Sequence, residues 1–336
     1  MKNPYGVEES FRKGYVVGDI ILKTERLKKH FVSASRIIGK KPRWIKALDG
    51  VNIEVRQGEI LGIVGESGSG KTTLAKTISG IFGPSEGKVY FKGERIRHLS
   101  AKKMKAVRRE IQYVYQNPGA SFDPWWVVGR SLEEPLRIHE KLPKKEREKR
   151  VKEGLHSVGL EEDHVYRYPH EFSGGQQRRL ALARALVLRP SLIIFDEPTS
   201  GLDVSIQATI LKLLKELRED LGLTYIFISH DLEVVRMMSD TIAVMYLGNI
   251  VEYGHTKAVF KNPKHPYTKL LLAAVPTITD KQEDEIVIEG EVPNPMDVPP
   301  GCSFWPRCPV ASEYCVREKP AMRRVEDGRR VACHLV

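Results

Sequence analysis

Residues 60–73 read Ile60-Leu61-Gly62-Ile63-Val64-Gly65-Glu66-Ser67-Gly68-Ser69-Gly70-Lys71-Thr72-Thr73: an apolar strand, a glycine-rich loop and the opening of a helix in direct succession. Positions 65–72 carry the spacing G-x-x-x-x-G-K-[S/T], in the strand-before, helix-after context that gives this spacing meaning. Glycines let the backbone wrap closely, so that N–H groups turn inward toward phosphate oxygens, and the helix read over 71–79 aims its positive end at the same anion. Lys71 is then placed to reach the outer phosphates and Thr72 to offer a hydroxyl to Mg²⁺.

Two further stretches complement this loop. Leu192-Ile193-Ile194-Phe195-Asp196-Glu197 is an apolar strand ending in two carboxylates. Asp196 at the strand end is suited to hold Mg²⁺, and Glu197 to accept a proton from an attacking water. A solvated turn is the competing reading of this pair, and the phosphate loop in the same chain disfavours it. Phe172-Ser173-Gly174-Gly175-Gln176-Gln177 precedes an amphipathic run to Leu188 that Pro190 stops. Ser173 is an N-cap residue there. A second glycine-rich helix start is redundant in one chain, unless it serves a nucleotide held by another subunit.

The surrounding chain fits an α/β protein. Strand-like runs at 192–195, 224–229 and 242–247 alternate with helical stretches such as 204–221, which implies a largely parallel sheet. Asp49-Gly50 reads as a turn, 120–190 as mostly helix, and composition shifts to a proline-rich tail near 262. The 336 residues imply about two domains. With 41% hydrophobic and 29% charged residues, disorder and collagen-like repeats are excluded. The net charge of +11 permits nucleic acid, an anionic membrane surface or phosphorylated ligands without choosing among them. The charge run 144–153 alternates in sign and lacks the interleaved aromatics of a base-stacking surface, so it reads as a solvated helix face. The start MKNPYGVEES shows no basic-then-apolar leader, and no run of 18 apolar residues occurs, so a cytoplasmic, non-spanning chain is expected.

The three motifs, in this order, resemble the ATP-binding subunit of an ABC transporter over about residues 50–260. The resemblance implies a P-loop ABC ATPase fold: a RecA-like parallel sheet core with an antiparallel β part and a helical subdomain at about 120–189. It makes residues 172–177 the family signature, matches Gln116 in YVYQNP to the glutamine that touches Mg²⁺ and the membrane partner, and matches Ser200-Gly201-Leu202-Asp203 to the loop that crosses the dimer interface. His230 in IFISHD matches the histidine on the γ-phosphate. Phe31 in LKKHF is the match for the ring stacked on adenine, with Trp44 as its rival, because 32–43 reads as an insertion. A narrower resemblance, carried by ALDGV, ASFDP and above all His265-Pro266-Tyr267-Thr268, is to the oligopeptide/dipeptide permease ATPases. It divides the chain into a nucleotide-binding domain (1–262) and a C-terminal extension (263–336), and leaves peptides or oligosaccharides as cargo.

All four cysteines fall in that extension, as Cys302-x5-Cys308-x6-Cys315-x17-Cys333. Disulfides are disfavoured in a reducing cytosol, except in a hyperthermophile. Zn²⁺ fits four thiolates but usually takes closely spaced pairs. A [4Fe–4S] cluster accepts four thiolates at varied spacing, and the resemblance points the same way, since some related ATPases with this tail bind one. His334 reads as a bystander.

The resemblance implies an importer subunit on the cytoplasmic face of the membrane. Two ATPase chains, alike or different, would close head to tail on MgATP beneath two permease subunits, served by an extracytoplasmic substrate-binding protein, with no nucleic acid bound. Soluble ABC ATPases of nucleic-acid, ribosome or iron–sulfur assembly work are the alternatives. The missing coiled-coil insertion and second ATPase domain speak against the first two, and the HPYT segment against the last.

Overall fold

The computed structural model describes residues 18–32, 43–97, 99–274 and 292–336. Most of the insertion read at 32–43 lies outside them. In chain order the strands are β1 (Ile20–Val32), β2 (Trp44–Val51), β3 (Glu54–Arg56), β4 (Ile60–Val64), β5 (Glu86–Phe91), β6 (Glu94–Arg95), β7 (Ile111–Val114), β8 (Leu192–Asp196), β9 (Thr224–Ile228), β10 (Thr241–Tyr246), β11 (Asn249–His255), β12 (Arg323–Arg324) and β13 (Arg330–Val331). The helices are α1 (Lys71–Ile78), α2 (Ala101–Glu110), α3 (Val128–His139), α4 (Lys144–Ser157), α5 (Gly174–Leu186), α6 (Val204–Leu221), α7 (Leu232–Met238), α8 (Thr256–Lys261), α9 (Pro266–Ala273) and α10 (Glu313–Arg317). None among the described residues is long and apolar enough to cross a membrane.

The chain forms two compact units that interleave in sequence. One holds Arg56–Glu59 and the stretch from 99 to Phe227. Here β7 and β8 pair in parallel, Ile111 opposite Leu192 through Val114 opposite Phe195, with β9 beyond β8. Every residue of β8 and β9 is buried, as continuous apolar β-branched and aromatic runs require when both sheet faces are covered. The helices α3, α4 and α5 form the expected helical part. Lys144–Glu148 and Lys149–Glu153 lie at 3.7 Å on the exposed side of α4, but Arg147 and Arg150 of the same run turn inward to Glu133 (2.6 Å) and Glu140 (3.2 Å), so only part of 144–153 is the solvated face expected. In α6, Ile210, Leu214, Leu217 and Leu221 make the buried stripe, and Gly222 ends the helix with φ of 60°.

The other unit holds Ile21–Val55, Ile60–Arg97 and Ile228–Val336. One sheet runs β2-β1-β5-β6, with β3 on β1. In the second, β10 pairs parallel to β4 and antiparallel to β11. β13 joins β11, opposite Glu252 and Tyr253, so the extension beyond 263 is part of this unit's sheet.

Three local expectations shift. Asp49-Gly50 is no turn: Leu27 pairs with Val51 and Lys28 with Asp49, leaving Gly50, at φ of 97°, as a bulge inside β2. Glycine can take that conformation, and so a turn dipeptide also serves a bulge. The helix read over 71–79 ends at Ile78 with Ser79 as its C-cap, and α5 stops at Leu186, two residues short of the expected Leu188.

The extension is anchored by a buried ion pair. Glu252 and Arg329, 0% and 2% exposed, meet at 3.2 Å. Glu252 also accepts the N–H groups of Lys264 (3.0 Å) and His265 (2.9 Å), while Arg329 donates to the Ala258 and Asn262 carbonyls. Such satisfaction is what makes buried charge tolerable. Next to it, His265 caps α9 by accepting the Tyr267 N–H on Nδ1 at 3.0 Å, which requires a neutral ring. Burial pushes its pKa down to about 3, against the opposing pull of the Ala332 carbonyl. The unfolded ring titrates near 6.5, so this stabilisation is complete above that pH and is lost progressively as pH falls toward 3. By pH 5 the loss reaches about 2 kcal/mol. Denaturant unfolding is expected to show wild type losing stability between pH 7 and 5 by that much more than His265→Asn, in which asparagine keeps a cap. Equal losses would contradict the assignment.

Candidate functional site

The five residues of β4 are all buried, and they deliver the loop that follows at a fixed place. Two glycines are obligatory. A Cβ on Gly65 (φ 149°) would lie 2.2 Å from the Met245 carbonyl oxygen, and one on Gly70 (φ 104°) 2.4 Å from that of Ala47. Ser67 and Gly68 form the exposed tip and Ser69 is buried, its carbonyl accepting the Gly248 N–H at 2.9 Å. The Lys71 side chain folds back into the loop, where Nζ donates to the carbonyls of Gly65 (2.6 Å) and Glu66 (2.8 Å). Thr72 is exposed and Thr73 half-buried in the first turn of α1.

Glu66 is held from outside the loop. Its N–H donates to the Tyr267 hydroxyl at 2.9 Å, and its carboxylate accepts both arms of the Arg307 guanidinium at 2.7 and 2.9 Å. Neither partner was singled out for the loop by sequence, although Tyr267 stands in the HPYT segment.

Phe31 packs edge-on against Phe82 at 5.4 Å, with the Lys29 ammonium 5.0 Å from its ring centre. Phe31 pairs with Ile45 and Val32 with Trp44, so Phe31 and Trp44 face opposite sides of the β1–β2 ladder. The Phe82 amide donates to Lys76 in α1, which puts Phe31 on the face that carries the loop's own helix. His230 is exposed between β9 and α7, beside Asp231, whose carboxylate caps α7 through the N–H groups of Glu233 and Val234.

In the other unit, buried Asp196 ends β8 and Glu197 turns out of the strand at φ of 50°. A non-glycine residue in that region is strained and persists where its surroundings impose it. Glu197 Oε2 accepts from Gln116 Nε2 at 2.7 Å, and Asp196 Oδ2 accepts from the Tyr113 hydroxyl at 2.6 Å. Burial, then the bond to Asp196, raises the Tyr113 pKa, so the phenol stays a donor. Sequence reading found Gln116 but missed Tyr113, whose signal was only its alternation with Tyr115 along the same stretch.

The signature segment forms a complete capping box. Ser173 Oγ accepts the Gln176 N–H at 3.3 Å, and Gln176 Oε1 accepts the Ser173 N–H at 3.0 Å. Gly174 has open space where a Cβ would stand, while Gly175 is backed by Ile206. Arg178 donates to the Ser200 carbonyl, which ties this helix to the loop carrying the exposed Asp203.

Of the cysteines, Cys315 and Cys333 are buried, and Cys302 and Cys308 half-buried. Three of the sulfurs have a backbone donor and the fourth has a hydroxyl partner. Backbone N–H groups two residues on serve Cys302 (Phe304), Cys308 (Val310) and Cys333 (Leu335, 3.5 Å), and the Ser312 hydroxyl lies 3.4 Å from the Cys315 sulfur. Burial pushes the Cys302 thiol up to about 11, and the other three thiols add to the rise. Among the described residues no three His, Cys, Asp or Glu side chains are grouped to hold a single metal ion. His334 is engaged elsewhere, by the Glu318 carbonyl (2.8 Å) and the Tyr314 ring (4.5 Å).

Residues 48–200 match the ABC transporter family, and residues 251–315 match the oligopeptide/dipeptide transporter C-terminal region. The chain is 45% identical to the oligopeptide transport ATP-binding protein AppF of Bacillus subtilis, over 94% of this chain and 98% of that one. It is 44% identical to the dipeptide transport ATP-binding protein DppF of Haemophilus influenzae, over 91% and 94%. Among solved structures, cbiO1 of Clostridium perfringens, part of the ABC transporter complex cbiONQ, superposes with a TM-score of 0.63 at 34% identity, over 73% of this chain and 92% of that one. The ATP-binding cassette MJ0796, solved as a post-hydrolysis dimer with ADP and Pi, gives 0.62 at 32% identity, over 70% and 98%. With the phosphate loop, the carboxylate strand and the capped signature helix all in place, this chain belongs to the ABC transporter family, as an ATP-binding subunit of the branch that carries the oligopeptide/dipeptide C-terminal region.

Proposed function

We propose that this chain hydrolyses MgATP to drive an ABC importer of oligopeptides or dipeptides. The observation that carries the chemistry is Glu197, whose carboxylate projects from a strained backbone at the end of β8 and is oriented by Gln116. The peptide cargo is supported by the relatives' own descriptions and by the shared C-terminal region.

In this reading the loop N–H groups left over by the Glu66–Tyr267 bond, those of residues 67–70, and the Lys71 ammonium bind the phosphates, exchanging the carbonyl contacts of Lys71 for phosphate oxygens. Thr72, Asp196 and Gln116 would hold Mg²⁺, an all-oxygen set that suits a hard cation. When bound, magnesium neutralises charge on the outer phosphates. Phe31 stacks on adenine, Glu197 takes the proton of the attacking water, and His230 senses the γ-phosphate. Ser173, Gly174, Gly175, Gln176 and Asp203 face the nucleotide held by a second ATPase chain, alike or different. The chain is organised as a nucleotide-binding domain (1–262) with an extension (263–336). It docks on two permease subunits at the cytoplasmic face of the membrane and is served indirectly by an extracytoplasmic binding protein. Glu197→Gln is expected to keep MgATP affinity and lower hydrolysis by about 10²- to 10⁴-fold. Turnover at the wild-type rate would remove Glu197 from this role.

We further propose that Cys302, Cys308, Cys315 and Cys333 hold a [4Fe–4S] cluster that pins the extension. Backbone N–H groups aimed at three of the sulfurs support this, since hydrogen bonds to sulfur stabilise thiolate ligands and tune such centres. Anaerobic purification followed by metal analysis is expected to give about four irons and as many sulfides per chain. One zinc would make the tail a zinc clip, and neither metal would overturn the site.

A further inference from the structure

The Gly65–Glu66 peptide is gripped on both sides. A trans peptide points its N–H and its C=O in opposite directions, so fixing one aims the other. The N–H of this peptide, on Glu66, donates to the Tyr267 hydroxyl at 2.9 Å, and its C=O, on Gly65, accepts from Lys71 Nζ at 2.6 Å. The Glu66 side chain is locked in turn by the two-pronged Arg307 guanidinium, itself 4% exposed. Both holding groups come from the C-terminal extension, and both rest on rigid supports. Tyr267 is fully buried, with its ring packed against Tyr246 (4.7 Å) and Phe304 (5.3 Å). Arg307 lies in a tight turn between two cysteines, where Trp305 N–H bonds Cys302 O, Arg307 N–H bonds Phe304 O and Cys308 N–H bonds Trp305 O.

We propose that Tyr267 and Arg307 are positioning residues for the phosphate loop. They hold the Gly65–Glu66 peptide in the orientation that keeps the Lys71 ammonium inside the loop before nucleotide arrives. The extension thereby sets MgATP affinity, because a loop ordered in advance loses less conformational freedom on binding. This rests on the reading of residues 65–72 as the nucleotide site.

The test is equilibrium binding of MgATP to the full chain, followed with a fluorescent nucleotide, beside thermal unfolding of the nucleotide-free protein. Tyr267→Phe removes one oxygen and keeps the packed ring. It is expected to weaken MgATP binding about tenfold with an unchanged unfolding midpoint. Arg307→Gln is expected to weaken binding to a similar degree, and Arg307→Lys to recover part of it, since lysine restores the charge without the fork. Adding Glu66→Gln to Arg307→Gln is expected to cause no further loss, because both act through one pair. Wild-type affinity in Tyr267→Phe and Arg307→Gln would overturn the proposal, as would a lowered unfolding midpoint without a change in affinity. Lys71→Ala is the control. If it binds MgATP as wild type does, the nucleotide-site reading fails, and if it alone is impaired, only the positioning role fails.

Discussion

The phosphate loop depends on the orientation of one peptide. Between Gly65 and Glu66 the amide is taken by Tyr267 and the carbonyl by Lys71, while the two glycines flanking the loop are required by carbonyl oxygens 2.2 and 2.4 Å from where a Cβ would stand. Buried β4 delivers the loop at a fixed place, and α1 continues directly from it with its positive end at the loop. Each constraint is a backbone constraint. A loop proposed to bind phosphate through N–H groups needs its main chain fixed, and here the main chain is fixed while the tip, Ser67 and Gly68, is open to solvent.

The carboxylate pair follows a different logic. Asp196 is the last residue of a buried strand and accepts from a neutral phenol, while Glu197 sits in a strained conformation and accepts from Gln116. Two adjacent acids thus acquire different partners, Tyr113 and Gln116, and so can carry different roles. Gln116 is bonded to Glu197 here, which links the residue matched to the membrane partner with the one proposed to activate water.

Much of this was legible in the sequence because it is local. The phosphate loop, the carboxylate-ended strand and the Ser173 N-cap each announce themselves within eight residues or fewer, through glycine spacing, apolar runs and capping chemistry. Continuous apolar strands foretold buried, parallel-paired strands: β8 and β10 are buried throughout and pair in parallel with β7 and β4, and β9 is buried throughout. What sequence could not supply were pairings across long separations. Arg307 meets Glu66 across 241 residues, and Tyr113 meets Asp196 across 83. No periodicity encodes such contacts. Gly50 was misread for a related reason, since the dipeptide that makes a turn also makes a bulge, and only strand register tells them apart. The interleaving of the two compact units is likewise a property of topology, because strands distant in sequence share a sheet.

The central claim is that nucleotide is hydrolysed in sites shared between two chains, the loop of one facing the signature helix of the other. Mixing two inactive variants tests this most directly. Lys71→Ala disables a chain's own loop, and Ser173→Arg disables the surface it offers to a partner. In a mixed head-to-tail dimer one site combines both lesions, while the other combines the intact loop of one chain with the intact signature helix of its partner. The account predicts that steady-state ATP hydrolysis, absent from each variant alone, returns when the two are mixed. A mixture no more active than its components would contradict it.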